Sequence, residues 1–396
     1  MTDLEALHRA ILQYPDDDTP RLLYADALEE TGESERAAFI RGQVAADRVP
    51  NYDPVAIQFR LHDLPELGGW PLDTLPELPP GLNWTEQPFR RGFPSAIEAG
   101  DGSAFVAHHA ELFDIAPVEE LQLMAIPLTE FQPLVNCPGL ARISKLVLVD
   151  GAIGLTAERL LASAHLSRLS DFHFGSRMST GGTDVAVVRS PAFARLRAFG
   201  CRNVRWPDQF FEEVRQLEHQ PHLTKLDLAG NSLAMTVRPP DYDLRRNQFA
   251  DFLREPIANH IEELDLSENN LGPAGIEELS SLWLEHLTTL SIRQTRPEEE
   301  GLRAFLTGII APDLRSLNLG GNNLSANLGE LLAASAALEE LRVLDLSENR
   351  LGDAGAMALA RSPHLANLLF LDVRDNDLGA ASQAVLRERF GERVAC

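Results

Sequence analysis

Leu341-Arg342-Val343-Leu344-Asp345-Leu346-Ser347-Glu348-Asn349-Arg350-Leu351 reads L-x-x-L-x-L-x-x-N-x-L. The same spacing returns at Leu223 (LTKLDLAGNSL), Ile261 (IEELDLSENNL), Leu314 (LRSLNLGGNNL) and Leu368 (LLFLDVRDNDL). Weaker copies begin at Val118, Ile143, Leu169, Leu196 and Leu287. Successive starts lie 25 to 27 residues apart, except for a gap of 38 between Leu223 and Ile261. Such a fixed period marks a stack of similar slices rather than one mixed core.

The pattern has a physical reading. In a short strand, alternate side chains face opposite sides. Leu344 and Leu346 therefore point inward, Leu341 and Leu351 close the slice, and Asp345 and Ser347 face outward. Asn349 leaves the strand, where a short amide can satisfy turn backbone groups that burial would otherwise strand. Stacked copies, Asn231, Asn269, Asn322, Asn349 and Asn376, are expected to form a ladder. One slice cannot bury its apolar side alone, so the two ends must be capped.

Between strands the chain reads helical. Gly352 to Arg361 sets Met357, Leu359 and Ala360 behind the sheet, and Pro297-Glu298-Glu299-Glu300 suits a helix start. The stretch Leu351 to Ala360 reads L-G-D-x-G-A-x-x-L-A, with a shorter form at Leu271-Gly-Pro-Ala-Gly-Ile276. Together with the strand pattern this resembles the ribonuclease-inhibitor-like subclass of leucine-rich repeats, from Val118 to about Leu378. The resemblance implies an α/β solenoid, a horseshoe with parallel strands inside and helices outside. Before Leu223 it weakens, since Ile126, Gly151 and Val204 replace the asparagine.

A chain of 396 residues could hold two or three globular domains; a solenoid accounts for the length better. The 59 acids against 35 bases give a net charge of −24. That opposes nucleic acid as a partner, because phosphate binding needs a positive face, and favours a basic one. Cys137, Cys201 and Cys396 are far apart, odd in number and without metal spacing, so reduced thiols are expected. The first residues lack a secretory pattern, and no apolar run approaches a membrane span. The expectation is a cytoplasmic protein that meets no membrane, with a monomer as the default.

Residues 1–48 read as a separate helical unit. Leu4, Leu7, Ile11 and Leu12 recur at helical spacing, and Tyr14-Pro15 ends that helix. Thr19 is expected as the N-cap of the next, with Pro20 at its first position. A third helix carries Ala37, Ile40 and Val44. Asp16-Asp17-Asp18, Pro20-Arg21-Leu22, Tyr24-Ala25-Asp26, Leu28-Glu29-Glu30, Gly32-Glu33 and Arg36 to Arg41 resemble the bacterial repeat-companion domain that precedes leucine-rich repeats. Ala27 stands where that family often has Trp. The resemblance implies no activity. The three aspartates read as a capping turn with solvated carboxylates rather than a cation site, since no further oxygen ligands follow at loop spacing.

Residues 49–81 form a proline-rich connector; Trp70, and Trp84 just beyond it, suggest packing across the first slice. Residues 82–117 are expected to cap the solenoid with a strand at 93–99 and a helix at 102–113. Residues 118–379 hold about ten repeats, and 380–396 a closing helix. Between His165 and Arg215 eight arginines face five acids, so Arg197, Arg202 and Arg205 could form a basic spot. The insertion 234–247 carries Arg238, Tyr242, Arg245 and Arg246; insertions in repeats map to loops on one face, often the binding face.

No nucleophile elbow, zinc-protease helix, P-loop or dinucleotide fingerprint appears, so neither an enzyme nor a cofactor is expected. Asp227, Asp265, Asp345 and Asp372 recur because the repeat does. The expected function is a scaffold binding a protein or peptide on its concave strand face. Its candidate residues are Tyr242, Glu262, Asp265, Glu268, Arg293, Asn318, Arg342, Asp345, Glu348, Phe370, Asp372 and Arg374. The alternative is a regulator of a small GTPase or another enzyme, resembling leucine-rich-repeat GTPase activators.

Overall fold

The computed structural model describes residues 3–57, 74–124, 131–149, 153–175, 185–203, 213–214, 216, 223–231, 233, 248–254, 256–309 and 311–396. They fall into two compact units, residues 1–174 with 190–192, and residues 175–189 with 193–396. Trp70, Arg205, Tyr242 and the whole 234–247 insertion lie outside the described residues, as do Ile126, Gly151 and Val204.

The first unit opens with helices α1 (Asp3–Gln13), α2 (Thr19–Glu30) and α3 (Ser34–Asp47). Their apolar stripes meet: Ile11, Ala25, Leu28, Ala37, Ile40 and Val44 are buried together with Phe93. So few residues cannot close a core alone, and Phe93 completes it from outside the helices. Thr19 is the first residue of α2 rather than its cap. Asp17 takes the capping role, its Oδ1 accepting the Thr19 N–H at 2.8 Å.

Four short strands follow: β1 (Leu82–Trp84), β2 (Phe89–Arg90), β3 (Phe93–Pro94) and β4 (Ala96–Ala99). The indole N–H of Trp84 reaches back to the Pro76 carbonyl, 2.9 Å. β2 and β3 make an antiparallel hairpin whose turn, Arg91-Gly92, has positive φ at both residues, 50° and 83°. A side chain on Gly92 would also strike Ile40, 2.7 Å from the Cβ position, so glycine lets the hairpin seat on α3. Gln43 fixes that seat, accepting the Gly92 N–H at 2.6 Å.

Arginine–carboxylate bonds fasten the helices further. The Arg91 guanidinium, 8% exposed, donates to Glu119, 3% exposed, at 2.8 Å and to the Asp16 carbonyl at 3.3 Å. Asp18 pairs with Arg48 at 2.8 Å and lies 3.5 Å from Arg91. Arg168 donates to Asp16 at 2.5 Å. Asp18 is thus a half-buried docking group, not a solvated carboxylate. Arg21, 1% exposed, donates to the Asp17 carbonyl at 3.2 Å, and burial draws its pKa down to about 10.

The unit continues with α4 (Gly102–Ile115), β5 (Glu120–Leu123), α5 (Phe131–Val135), β6 (Lys145–Val149), α6 (Ile153–Leu161) and β7 (Asp171–Gly175). Asp101 caps α4 by accepting the Ser103 N–H at 3.0 Å. The sheet order is β1-β4-β5-β6-β7. β1 runs antiparallel to β4, and β4, β5 and β6 run parallel.

In the second unit the period shows in full. Strands β8 (Ala198–Arg202), β9 (Lys225–Asp227), β10 (Glu263–Asp265), β11 (Thr289–Ser291), β12 (Ser316–Asn318), β13 (Val343–Asp345), β14 (Phe370–Asp372) and β15 (Val394–Ala395) pair in that order, all parallel. Helices α7 (Gln248–Leu253), α8 (Gly272–Ser280), α9 (Glu298–Gly308), α10 (Ala326–Ala333), α11 (Gly352–Arg361) and α12 (Ala380–Phe390) come between and after the strands. Leu341, Leu344, Leu346 and Leu351 are all buried. Neighbouring helices approach at glycine, since a Cβ on Gly329 would sit 2.8 Å from the Gly355 Cα.

The buried asparagines join one repeat to the next. Asn349 Nδ2 donates to the carbonyls of Leu346 (2.9 Å) in its own repeat and Leu319 (3.1 Å) in the preceding one. Its Oδ1 accepts the N–H groups of Asn322 (3.0 Å) and Leu324 (2.9 Å). Asn231, Asn269, Asn322 and Asn376 make comparable bonds. The repeat starting at Leu287 has Thr295 in this place, fully buried, with Oγ1 donating to the Ile292 carbonyl at 2.8 Å.

The closing helix is shorter than the sequence suggests. It ends at Phe390 because Gly391 turns to φ +63°, and the chain then lays Val394–Ala395 beside β14.

Candidate interaction surface

Each of the strands β9 to β13 sends its central leucine inward and the residues on either side outward, and β14 does the same with Leu371 and Phe370. Strand register aligns these outward residues into two rows. One runs Lys225, Glu263, Thr289, Ser316, Val343, Phe370. The other runs Asp227, Asp265, Ser291, Asn318, Asp345, Asp372. The first row passes from charged through small and polar to apolar. Sequence spacing shows each residue singly; only the register shows this gradient.

The carboxylate row is not uncommitted, as a purely outward reading would have it. Asp265 and Asp345 each accept the backbone N–H two residues on, at 2.9 Å, and Asp372 does so at 3.0 Å. Asn318 does the same for Gly320 at 2.9 Å. These bonds fix the bend where each strand ends. Asp372 is 4% exposed and receives Arg374 at 2.6 Å, which holds the arginine's pKa above its ordinary value. Ser347 is also mostly buried.

Arg202 lies over the other end of the row, 2.8 Å from Asp227 and 3.3 Å from Asp265. Burial works against its charge, but the two carboxylates outweigh that and raise its pKa. It is therefore a paired arginine of β8, not part of an open basic spot. Burial, with the Asp227 charge adding to it, pushes the Asp265 carboxyl above the usual carboxylate range despite Arg202. Lys225 pairs with Glu263 at 2.8 Å, and Arg293 with Glu348 at 2.5 Å. Among the described residues Asp345 has no ion pair; its Oδ1 holds the Ser347 N–H and hydroxyl, at 2.9 and 2.7 Å.

The other expected site residues are placed as follows. Glu268 and Glu348 stand beyond their strands, in left-handed turns with φ 59° and 55°. Both are exposed. Glu262 is exposed just ahead of β10, and Arg342 is half-buried, donating to the Asn367 carbonyl at 3.3 Å. Phe370 is half-buried beside Val343. No helix among the described residues is long and apolar enough to cross a membrane. Among them no group of three or more His, Cys, Asp or Glu could hold a metal ion.

The Leucine Rich repeat family model matches residues 219–234, 258–280 and 340–360. No curated protein matches the chain. Among solved structures, a chain of the Rad7 and Elc1 complex from yeast is 17% identical, with 91% of this chain and 94% of that one covered and a TM-score of 0.47. A Bacteroides fragilis protein is 14% identical over 72% of this chain and 76% of its own, with a TM-score of 0.42. An internalin from Listeria monocytogenes is 14% identical over 68% and 70%, with a TM-score of 0.35. The matched stretches carry the repeats that begin at Leu223, Ile261 and Leu341. The fold is an α/β leucine-rich-repeat fold with helices at its N-terminal end.

Proposed function

We propose that this chain is a non-catalytic scaffold that binds an extended segment of another protein across the outward strand face of its repeats. The observation that carries the reading is the pair of register-matched rows. Six adjacent strands offer side chains of graded polarity to one ligand, so weak contacts add up and a few anchors dominate. Asp345 suits a basic side chain, and Val343 with Phe370 suits an apolar one. The partner is then a protein or peptide with a basic residue near an apolar one, in keeping with the net charge of −24. The alternation of strand and helix favours the ribonuclease-inhibitor-like subclass, and the helices α1 to α3 favour the bacterial repeat-companion domain as the leading unit. A cytoplasmic setting accords with the free cysteines Cys137 and Cys201, both buried.

Affinity capture from the source cell tests this, with Asp345→Ala and Phe370→Ala run beside the parent chain. The expected result is a partner held by the parent and lost from both variants, with binding that weakens as salt rises. A partner retained equally by all three places the site elsewhere.

A further inference from the structure

Where α1 to α3 meet the β2–β3 hairpin and the end of α4, the first unit holds a cavity of about 340 Å³. That is small among ligand sites, which span about 300–1,000 Å³. Tyr24, Phe89 and Phe93 give it aromatic wall, and Leu28, Leu75 and Ile115 aliphatic wall. Tyr24 and Phe93 meet edge to face at 5.4 Å. His8 lines the same cavity, its ring 6.3 Å from that of Tyr24 and 6.2 Å from that of Phe93.

The charges on the wall are already committed. Arg36 lies over the rings of Phe39, Phe89 and Phe93, at 5.2, 5.5 and 5.6 Å, and donates to the Gly92 carbonyl at 2.5 Å. The carboxylate of Glu33, which also lines the cavity, supports that guanidinium charge. Cation and anion so placed leave no net charge for a ligand ion to answer, and an ion would have to shed its water on entering. The polar groups left for a ligand are uncharged. Burial lowers the pKa of His8 and raises that of Tyr24, so imidazole and phenol are both neutral at neutral pH. Among the described residues neither the His8 ring nitrogens nor the Tyr24 hydroxyl has a hydrogen-bond partner. The hydroxyl can donate and accept, and the neutral imidazole offers one nitrogen for each.

We infer that this cavity binds a small uncharged aromatic alcohol or phenol, its ring on Phe89 and Phe93 and its hydroxyl on Tyr24 and His8. A hydroxyl both donates and accepts, so one ligand group can serve the two. The ring gains the edge-to-face or offset contacts that aromatic wall favours. A hydrocarbon of the same size leaves both polar groups unserved. An anion meets the charge of Glu33, and a cation that of Arg36. The site is independent of the outward strand face and stands or falls without it.

The test is calorimetric titration of the full chain with phenol, benzyl alcohol, toluene, benzylamine and benzoate. Phenol, benzyl alcohol or both are expected to bind at one site per chain. Phenol alone indicates a hydroxyl on the ring, and benzyl alcohol alone a hydroxyl one carbon out. Toluene, benzylamine and benzoate should each bind at least roughly fivefold more weakly, the scale of one net hydrogen bond. Tyr24→Phe keeps the ring and removes the hydroxyl, so it should weaken the alcohol by a similar factor and leave toluene unchanged. Ile115→Trp fills the cavity without touching either polar group, and should abolish binding even if Tyr24→Phe does not fold. The inference is overturned if neither hydroxyl compound binds, if toluene or either ion binds as tightly, or if the alcohol keeps its affinity in a folded Tyr24→Phe or Ile115→Trp chain.

Discussion

Asn349 serves two repeats at once, with bonds to the backbone of its own turn and to that of the repeat before it. Asn349→Ala leaves these buried groups unpaired and should cost about 1–3 kcal/mol, read as a lower midpoint in thermal or urea unfolding. Asp265→Asn should behave differently. The amide can still accept the Ser267 N–H, while the charge that burial disfavours is gone. A cost below about 1 kcal/mol is expected by the same measurement, and a larger loss would mean that the Arg202 pair outweighs burial. The asparagines were legible because one residue type recurs at one spacing. Thr295 was not: a lone hydroxyl in that frame has no second copy to mark it. The use of the aspartates as turn acceptors was also hidden, because it depends on a backbone bend that spacing alone does not specify.

The strands and helices of the second unit follow their periods closely, since leucines at fixed intervals leave one way to bury them. The elements that departed are short or end on glycine. The two-residue strand β15 carries too few positions for a pattern, and Gly391 turns the chain before the expected end of α12. The hairpin β2–β3 depends on Arg91 and Gly92 at positive φ, which the sequence does not announce at arginine. Helix α4 gives an element-scale prediction. The bonds from the Ser103 hydroxyl and N–H hold the Asp101 carboxyl below the ordinary aspartate range. A carboxylate with a depressed pKa contributes its stability above the unfolded value, about 3.9, and loses it as pH falls through the folded one. Asp101→Ala should therefore cost about 1 kcal/mol at neutral pH. The gap between parent and variant should close as the solution is acidified below the ordinary range, measured as unfolding midpoint against pH.

For the molecule as a whole, the seating of α1 to α3 was the least legible feature. Its bonds join residues distant in sequence, Arg91 to Glu119 and Asp16 to Arg168. Charge counts treat such residues as surface. Glu119→Ala removes the nearest carboxylate of the buried Arg91 guanidinium, leaving Asp18 at 3.5 Å and Asp47 at 3.8 Å, and should cost about 1–3 kcal/mol. Amide hydrogen exchange should show lost protection in α1 to α3 and the β2–β3 hairpin, with β10 to β14 unaltered. Uniform loss across the second unit would contradict a local fastening. The strand β15 has a consequence for solution behaviour. A parallel sheet ends in a row of unsatisfied N–H and C=O groups, a template on which other chains can crystallise into fibres. Val394 and Ala395 occupy that row on β14, and Arg393 ties the segment down through the Leu368 carbonyl at 2.8 Å. Six residues thus act as a polymerisation guard. A chain cut after Phe390 should keep its fold yet scatter light increasingly with concentration, whereas the intact chain stays monodisperse.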